Sequence, residues 1–186
     1  MATLNEYLAQ KKIAAQQLHQ QALANPQPRN YAARVRAAGR SGVREIRIRD
    51  FQIISDSPEN FAGYSLGPAS PEIQLGVLGS CMTHITLIQA AKLGISLESL
   101  EIEVHGQEHP LVGQEGYEDV PIYPHNIHYK IHITSDEEPE RIQELHETVE
   151  RVCPIYNLLL NPQTITGEVV LTTASDPEGK AKTQGK

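Results

Sequence analysis

The sequence predicts an α+β fold, not alternating βαβ units. Apolar residues recur with a period of two over 44–54, 100–104 and 127–133, as in half-buried strands. They recur at helical spacing over 3–24 and 135–152 and run almost unbroken over 73–93. Helices therefore stand singly between runs of strands, the order expected when antiparallel strands and helices segregate.

The first element is a helix over 3–24, with Leu4, Leu8, Ala15, Leu18 and Ala22 on one stripe and a glutamine-rich remainder. Asn25-Pro26-Gln27-Pro28 ends it, because a proline disfavours helical backbone in the residue before it. This segment reads as an appendage that docks on the main body or on a partner chain. A strand pair follows, 31–37 and 44–54, turned by Gly39-Arg40-Ser41-Gly42. Residues 55–70 form a Ser/Pro/Gly/Asn-rich connector.

The next helix has Ser70 as expected cap, Pro71 at its first position and Glu72 in its first turn, where the helix dipole favours negative charge. Gly94 stops it. Being apolar nearly all round from Ile73 to Leu93, it must be buried on most sides. A strand over 100–104, a long loop over 106–126 and a strand over 127–133 come next. Ser135 and Glu138 form a capping-box pattern ahead of a helix with the stripe Ile142, Leu145, Val149 and Val152. That helix ends at Cys153-Pro154. A short helical turn over 155–160, a last strand over 164–172 and a disordered tail complete the chain. The expected organisation is an N-terminal helical extension over 1–28, one domain over 29–173 and the tail over 174–186.

Composition narrows the function classes. The chain has 186 residues, 39% apolar and 21% charged, which suits a soluble globular protein. No unbroken apolar run is long enough for a membrane-spanning helix, and the first 25 residues lack the apolar block of a secretory signal. Two cysteines, Cys81 and Cys153, do not make a secreted disulfide scaffold. The expected compartment is reducing cytoplasm. Residues 1–50 carry nine Lys/Arg against three acids, whereas 51–186 carry seven against twenty. Neither a Gly/aromatic signature nor zinc spacing accompanies the basic start, so a charged strand face pairing with Glu101 and Glu103 is preferred to nucleic-acid binding.

Chemistry could come from several places. A cysteine within an apolar helix is usually a small core residue. A reactive one must be thiolate, and an arginine within contact distance favours that form. A second thiol within reach could then resolve a sulfenic acid to a disulfide. His105, His109 and His125 are spaced loosely like metal ligands, but without a HExxH-type pattern. His84, one helical turn after Cys81, makes a Cys–His hydrolase conceivable, although such bases usually come from distant segments. Ser80 lacks a Gly-x-Ser-x-Gly elbow. Gly76 and Gly79 suit close packing better than a phosphate loop, since no Lys-Ser/Thr follows.

Four stretches, in order, carry a family resemblance: Ala38-Gly39-Arg40-Ser41-Gly42; Ser57-Pro58-Glu59 with Gly67-Pro68; Gly79-Ser80-Cys81-Met82-Thr83 in the helix beginning Ser70-Pro71-Glu72; and Val152-Cys153-Pro154. Over about 30–172 the sequence resembles the OsmC/Ohr family. The resemblance implies antiparallel sheets around a long buried central helix, an intertwined homodimer with sites at its interface, and thiol-dependent peroxide reduction; the apolar neighbours of Cys81 suit organic hydroperoxides better than hydrogen peroxide alone. It implies that Cys81 is the peroxidatic nucleophile, Cys153 the resolving thiol and Arg40 the stabiliser of the thiolate. An external dithiol would regenerate the enzyme, with no metal or organic cofactor. The family's arginine-holding glutamate stands ten residues before the first cysteine. Here Pro71 occupies that position and Glu72 is nine before, a rotation of about 100° on a helix. Glu72 is thus either the arginine's partner or a first-turn dipole partner. The rival reading is a non-catalytic OsmC-like module with buried structural cysteines and a small apolar ligand.

Overall fold

The computed structural model describes residues 3–171 and the backbone of 182–183. Helix α1 (Leu4–Ala24) begins at a capping box: the Thr3 hydroxyl accepts from the Glu6 N–H while the Glu6 carboxylate accepts from the Thr3 N–H. Leu8 is buried, Leu4 packs beside it, and the Asn5 side chain accepts from the Leu97 N–H at 2.9 Å. The first half of α1 is therefore anchored to the body. Leu18 and Ala22, expected on the docking stripe, are exposed instead.

Strands β1 (Arg34–Ala37), β2 (Arg44–Ile48) and β3 (Phe51–Ser55) form an antiparallel sheet in that order. The expected single strand over 44–54 is thus two. The chain reverses at Arg49-Asp50, with Arg49 at φ 54°, a left-handed residue without the glycine that normally announces one. Val35, Phe51 and Ile53 share one face of this sheet and remain exposed, Phe51 at 64%. Arg36 pairs with Glu45 at 2.7 Å. The expected pairing with Glu101 and Glu103 does not form within the chain; Glu103 lies instead beside His105 and His132.

Helix α2 (Ser70–Leu93) starts one residue earlier than expected, with Ala69 at the cap position. Alanine has no oxygen to offer, so Glu72 does the capping, accepting from the Ala69 N–H at 2.6 Å. Gly94, at φ 68°, ends the helix. Strands β4 (Ser99–Gln107) and β5 (His125–Thr134) pair antiparallel, Ile102 opposite Ile131. Their apolar side chains pack on α2, and Gly79 permits the approach: a Cβ there would lie 3.2 Å from Val104 Cγ2. Helices α3 (Pro139–Val152) and α4 (Pro154–Leu160) also pack on α2. The expected capping box at α3 does not form. Ser135 donates to the Ser96 carbonyl at 2.6 Å, and Glu138 occupies the cap position.

The core gathers Leu78, Met82, Ala90 and Ala91 of α2 with Leu97, Leu145, Val149 and Cys153. Burial of α2 is one-sided. Gly76, Val77, Ser80 and His84 are exposed along a single stripe, contrary to the expectation of burial on most sides. By length and composition alone α2 could cross a membrane, so the run-length argument against a spanning helix does not hold by itself. In the fold it packs against β4, α1, α3 and α4. The last expected strand is short, β6 (Val170–Leu171), paired with β7 (Lys182–Thr183). The rest of the tail lies outside the described residues.

Candidate active site

Pro154 creates the site's corner. Having no N–H, it cannot continue α3, so the chain breaks at Cys153 and restarts as α4. The Cys153 N–H still donates to the Val149 carbonyl at 2.8 Å, which fixes the residue at the helix end. Its side chain is fully buried and directed at α2, where the Cys153 and Cys81 sulfurs lie 3.5 Å apart with both thiols free. Seventy-two positions separate them in sequence.

Cys81 is half-buried and opens onto a groove lined by Glu72, Ile73, Val77, Ser80 and His84. Burial pushes its thiol above the ordinary range, and the adjoining Cys153 sulfur pushes the same way. One donor opposes them, the Ile155 N–H in the first turn of α4. Burial and the charge of Lys11 push His84 below the usual histidine range, which favours neutral imidazole. A separate cavity of about 380 Å³ between β5 and α3 reaches neither sulfur.

Three of the four sequence-predicted residues share this region. Cys81 and Cys153 are in contact, and Glu72 lines the same groove with its carboxylate on the helix N-terminus. Arg40 is not brought to them within one chain. It is exposed at the β1–β2 turn, which is held by backbone bonds such as Ala38 N–H to the Val43 carbonyl at 2.8 Å, and no cation among the described residues acts on Cys81. Arg44 is the anchored arginine instead. It donates to the Ser55 hydroxyl at 3.0 Å and the Asp56 carbonyl at 2.9 Å. The buried Asp56 carboxylate collects the N–H groups of Ser57, Tyr64 and Leu66. Burial would raise that carboxyl, but these donors and Arg44 outweigh it and hold it low.

The loosely spaced histidines do other things. His105 stacks on His128, and His109 stacks on Tyr117. Among the described residues no histidine, cysteine or carboxylate cluster is arranged to hold a metal. Sequence reasoning missed a polar group behind Cys153: Tyr129 donates to Glu150 at 2.5 Å and sits 2.8 Å from His146, while Tyr156 also donates to Glu150. Burial and Glu150 together push the Tyr129 hydroxyl well above the usual phenol range. It missed Asn157 too. The available signal was the proline at 154, whose missing N–H leaves a carbonyl to be satisfied.

The model of the OsmC-like protein family matches residues 63–168. The chain belongs to the OsmC-like family. Solved structures of similar fold include an OsmC-like protein from Mycoplasma pneumoniae, at 19% identity and TM-score 0.63, covering 72% of this chain and 89% of that one. An organic hydroperoxide resistance protein OsmC from Legionella pneumophila is similar at 16% identity and TM-score 0.52, covering 72% and 90%. Comparison with curated proteins gives no match. The matched OsmC-like region holds both cysteines and Glu72; the Arg40 turn and α1 precede it.

Proposed function

We propose that this OsmC-like chain is a thiol-dependent peroxidase that reduces organic hydroperoxides with two cysteines and works as a homodimer in a reducing cytoplasm. The observation carrying the reading is the 3.5 Å approach of the Cys81 and Cys153 sulfurs. In the proposed reaction the Cys81 thiolate attacks the terminal peroxide oxygen and the O–O bond breaks. The alkoxide takes a proton and leaves as an alcohol, and Cys81 becomes a sulfenic acid. Cys153 then gives up its proton and attacks that sulfur, forming the S–S bond and releasing water. An external dithiol returns the two electrons. The sulfurs supply both electrons of each turnover, so the proposal calls for no metal or organic cofactor. The apolar wall of Ile73 and Val77 suits an alkyl group.

Activation of Cys81 is assigned to Arg40 of the partner subunit, with Glu72 as the acid in the groove that receives it. Two features support a second copy: the open stripe of α2, and the bare apolar face of the β1–β3 sheet. Each needs a cover and each can supply one. With an alkyl hydroperoxide and a dithiol, purified protein should consume peroxide and Cys81→Ser should abolish consumption. Full activity in that variant overturns the assignment.

One observation favours the rival binding module: among the described residues of one chain, a single N–H is all that draws Cys81 toward thiolate. Thiol titration decides between the two. The peroxidase requires one fast thiol at neutral pH and a peroxide-induced intramolecular disulfide; the binding module predicts two slow thiols that stay reduced.

A further inference from the structure

The break between α3 and α4 leaves a defined backbone deficit. In a continuous helix the Glu150 carbonyl would accept from the N–H of residue 154 and the Arg151 carbonyl from that of residue 155. Residue 154 is proline and has no N–H. The Ile155 N–H makes no bond to the Arg151 carbonyl and is the donor that acts on the Cys81 thiol. Two carbonyls therefore lose their donors, one to covalent structure and one to the candidate active site.

Asn157 makes good the loss. Its Nδ2 lies 2.9 Å from the Glu150 carbonyl, 3.5 Å from that of Arg151 and 2.9 Å from that of Cys153. Its own backbone N–H donates to the Cys153 carbonyl at 3.0 Å, and Asn161 in turn donates to the Asn157 carbonyl at 2.7 Å. The side chain is half-buried, so water is a poorer substitute. An amide at this point does two things. It fixes the peptide that carries Cys153, and it occupies the carbonyls that would otherwise compete for the Ile155 N–H.

We propose that Asn157 is a positioning residue for the Cys81–Cys153 pair, setting the approach of the two sulfurs and keeping the Ile155 N–H free for Cys81. The proposal rests on the reading of the two cysteines as a redox pair. It is tested without peroxide, so that a failure of the peroxidase reading stays separate.

The full chain is equilibrated with reduced and oxidised dithiothreitol, and the Cys81–Cys153 disulfide is quantified after acid quench. Asn157→Asp keeps the shape and replaces the donor by an acceptor facing three carbonyls. Its disulfide-forming constant should fall about tenfold relative to wild type, or about 30 mV. Asn157→Ser keeps one short donor and should fall by roughly a third to a half as much on the logarithmic scale. The pH profile of Cys81 alkylation gives a second readout and should move to higher pH in both variants. A residue that merely stabilised the fold would lower the thermal midpoint and leave both readings of the folded protein at wild-type values. Folded variants with a disulfide constant within about twofold of wild type and an unmoved alkylation profile overturn the proposal. If Asn157→Asp does not fold, Asn157→Ser decides alone. If wild type forms the disulfide but consumes no peroxide, the peroxidase reading fails and the result for Asn157 stands.

Discussion

Replacing Cys153 with serine separates the two halves of the proposed reaction. The sulfurs lie 3.5 Å apart and a disulfide needs about 2.05 Å, so closure asks for a movement of roughly 1.5 Å. Groups held in such proximity react at effective concentrations that reach about 10⁵ M or more when well oriented. If imperfect alignment at the α3–α4 corner removes as many as four of those powers of ten, about 10 M of thiol still faces each sulfenic acid. For equal intrinsic reactivity, a second peroxide supplied at about 1 mM then loses the competition roughly ten-thousand-fold. Wild type should pass to the disulfide with almost no sulfinic acid. In Cys153→Ser the competing thiol is gone, so the first oxidation proceeds and further peroxide carries Cys81 to the sulfinic form. Intact-mass measurement after excess peroxide reads this directly: loss of two hydrogens in wild type, gain of two oxygens in the variant. Wild type accumulating sulfinic acid as readily as the variant would refute the proximity argument.

Two further outcomes are expected. Arg40→Met should slow alkylation of Cys81 at neutral pH by about tenfold for each unit of pKa lowering that the arginine supplies, and equal rates in the two proteins would remove Arg40 from the site. Glu150 is held below the ordinary carboxylate range, first by the Tyr129 hydrogen bond and against its burial, with Tyr156 and His146 assisting. A lowered folded value means stability that is present above the ordinary range and lost as pH falls through the lowered one. Glu150→Gln should therefore flatten the acid limb of stability, measured as denaturation midpoints from neutral to strongly acid pH; an unchanged limb would contradict this.

What the sequence disclosed, it disclosed through patterns that depend on one segment at a time. The alternation of Leu100, Ile102 and Val104 placed β4, the run from Ile73 to Leu93 placed α2, and Gly94 marked its end. Cysteines at a helix middle and a helix end, read with the family's order of motifs, pointed to a pair that the fold brings into contact. The misses needed information from elsewhere in space. The Arg49-Asp50 reversal has no glycine to announce it. Ser135 looked like a cap but is claimed by the Ser96 carbonyl, thirty-nine residues away. The Asn157 bonds follow from a proline three residues earlier, but only once the path of the corner is known. Arg40 meets neither cysteine among the described residues of its own chain.

That last point bears on how the thiol would be governed. Burial and Cys153 both push the Cys81 thiol up, and among the described residues the Ile155 N–H opposes them. A unit charge about 4 Å away contributes about 4 kcal/mol at the effective dielectric typical of partly buried sites. Each unit of pKa costs about 1.4 kcal/mol. One guanidinium delivered into the Cys81 groove would therefore act strongly against the upward push of burial and Cys153 and favour the thiolate. Glu72, which lines the groove, would orient that cation in the proposed dimer, and the exposed β1–β2 turn, closed by the Ala38 N–H to the Val43 carbonyl, would present Arg40. In the proposed dimer the same contact that covers the open face of α2 would supply the charge, so reactivity would appear only where two copies have met. A chain on its own would keep its sulfurs close but protonated, and so would not spend them on stray oxidants.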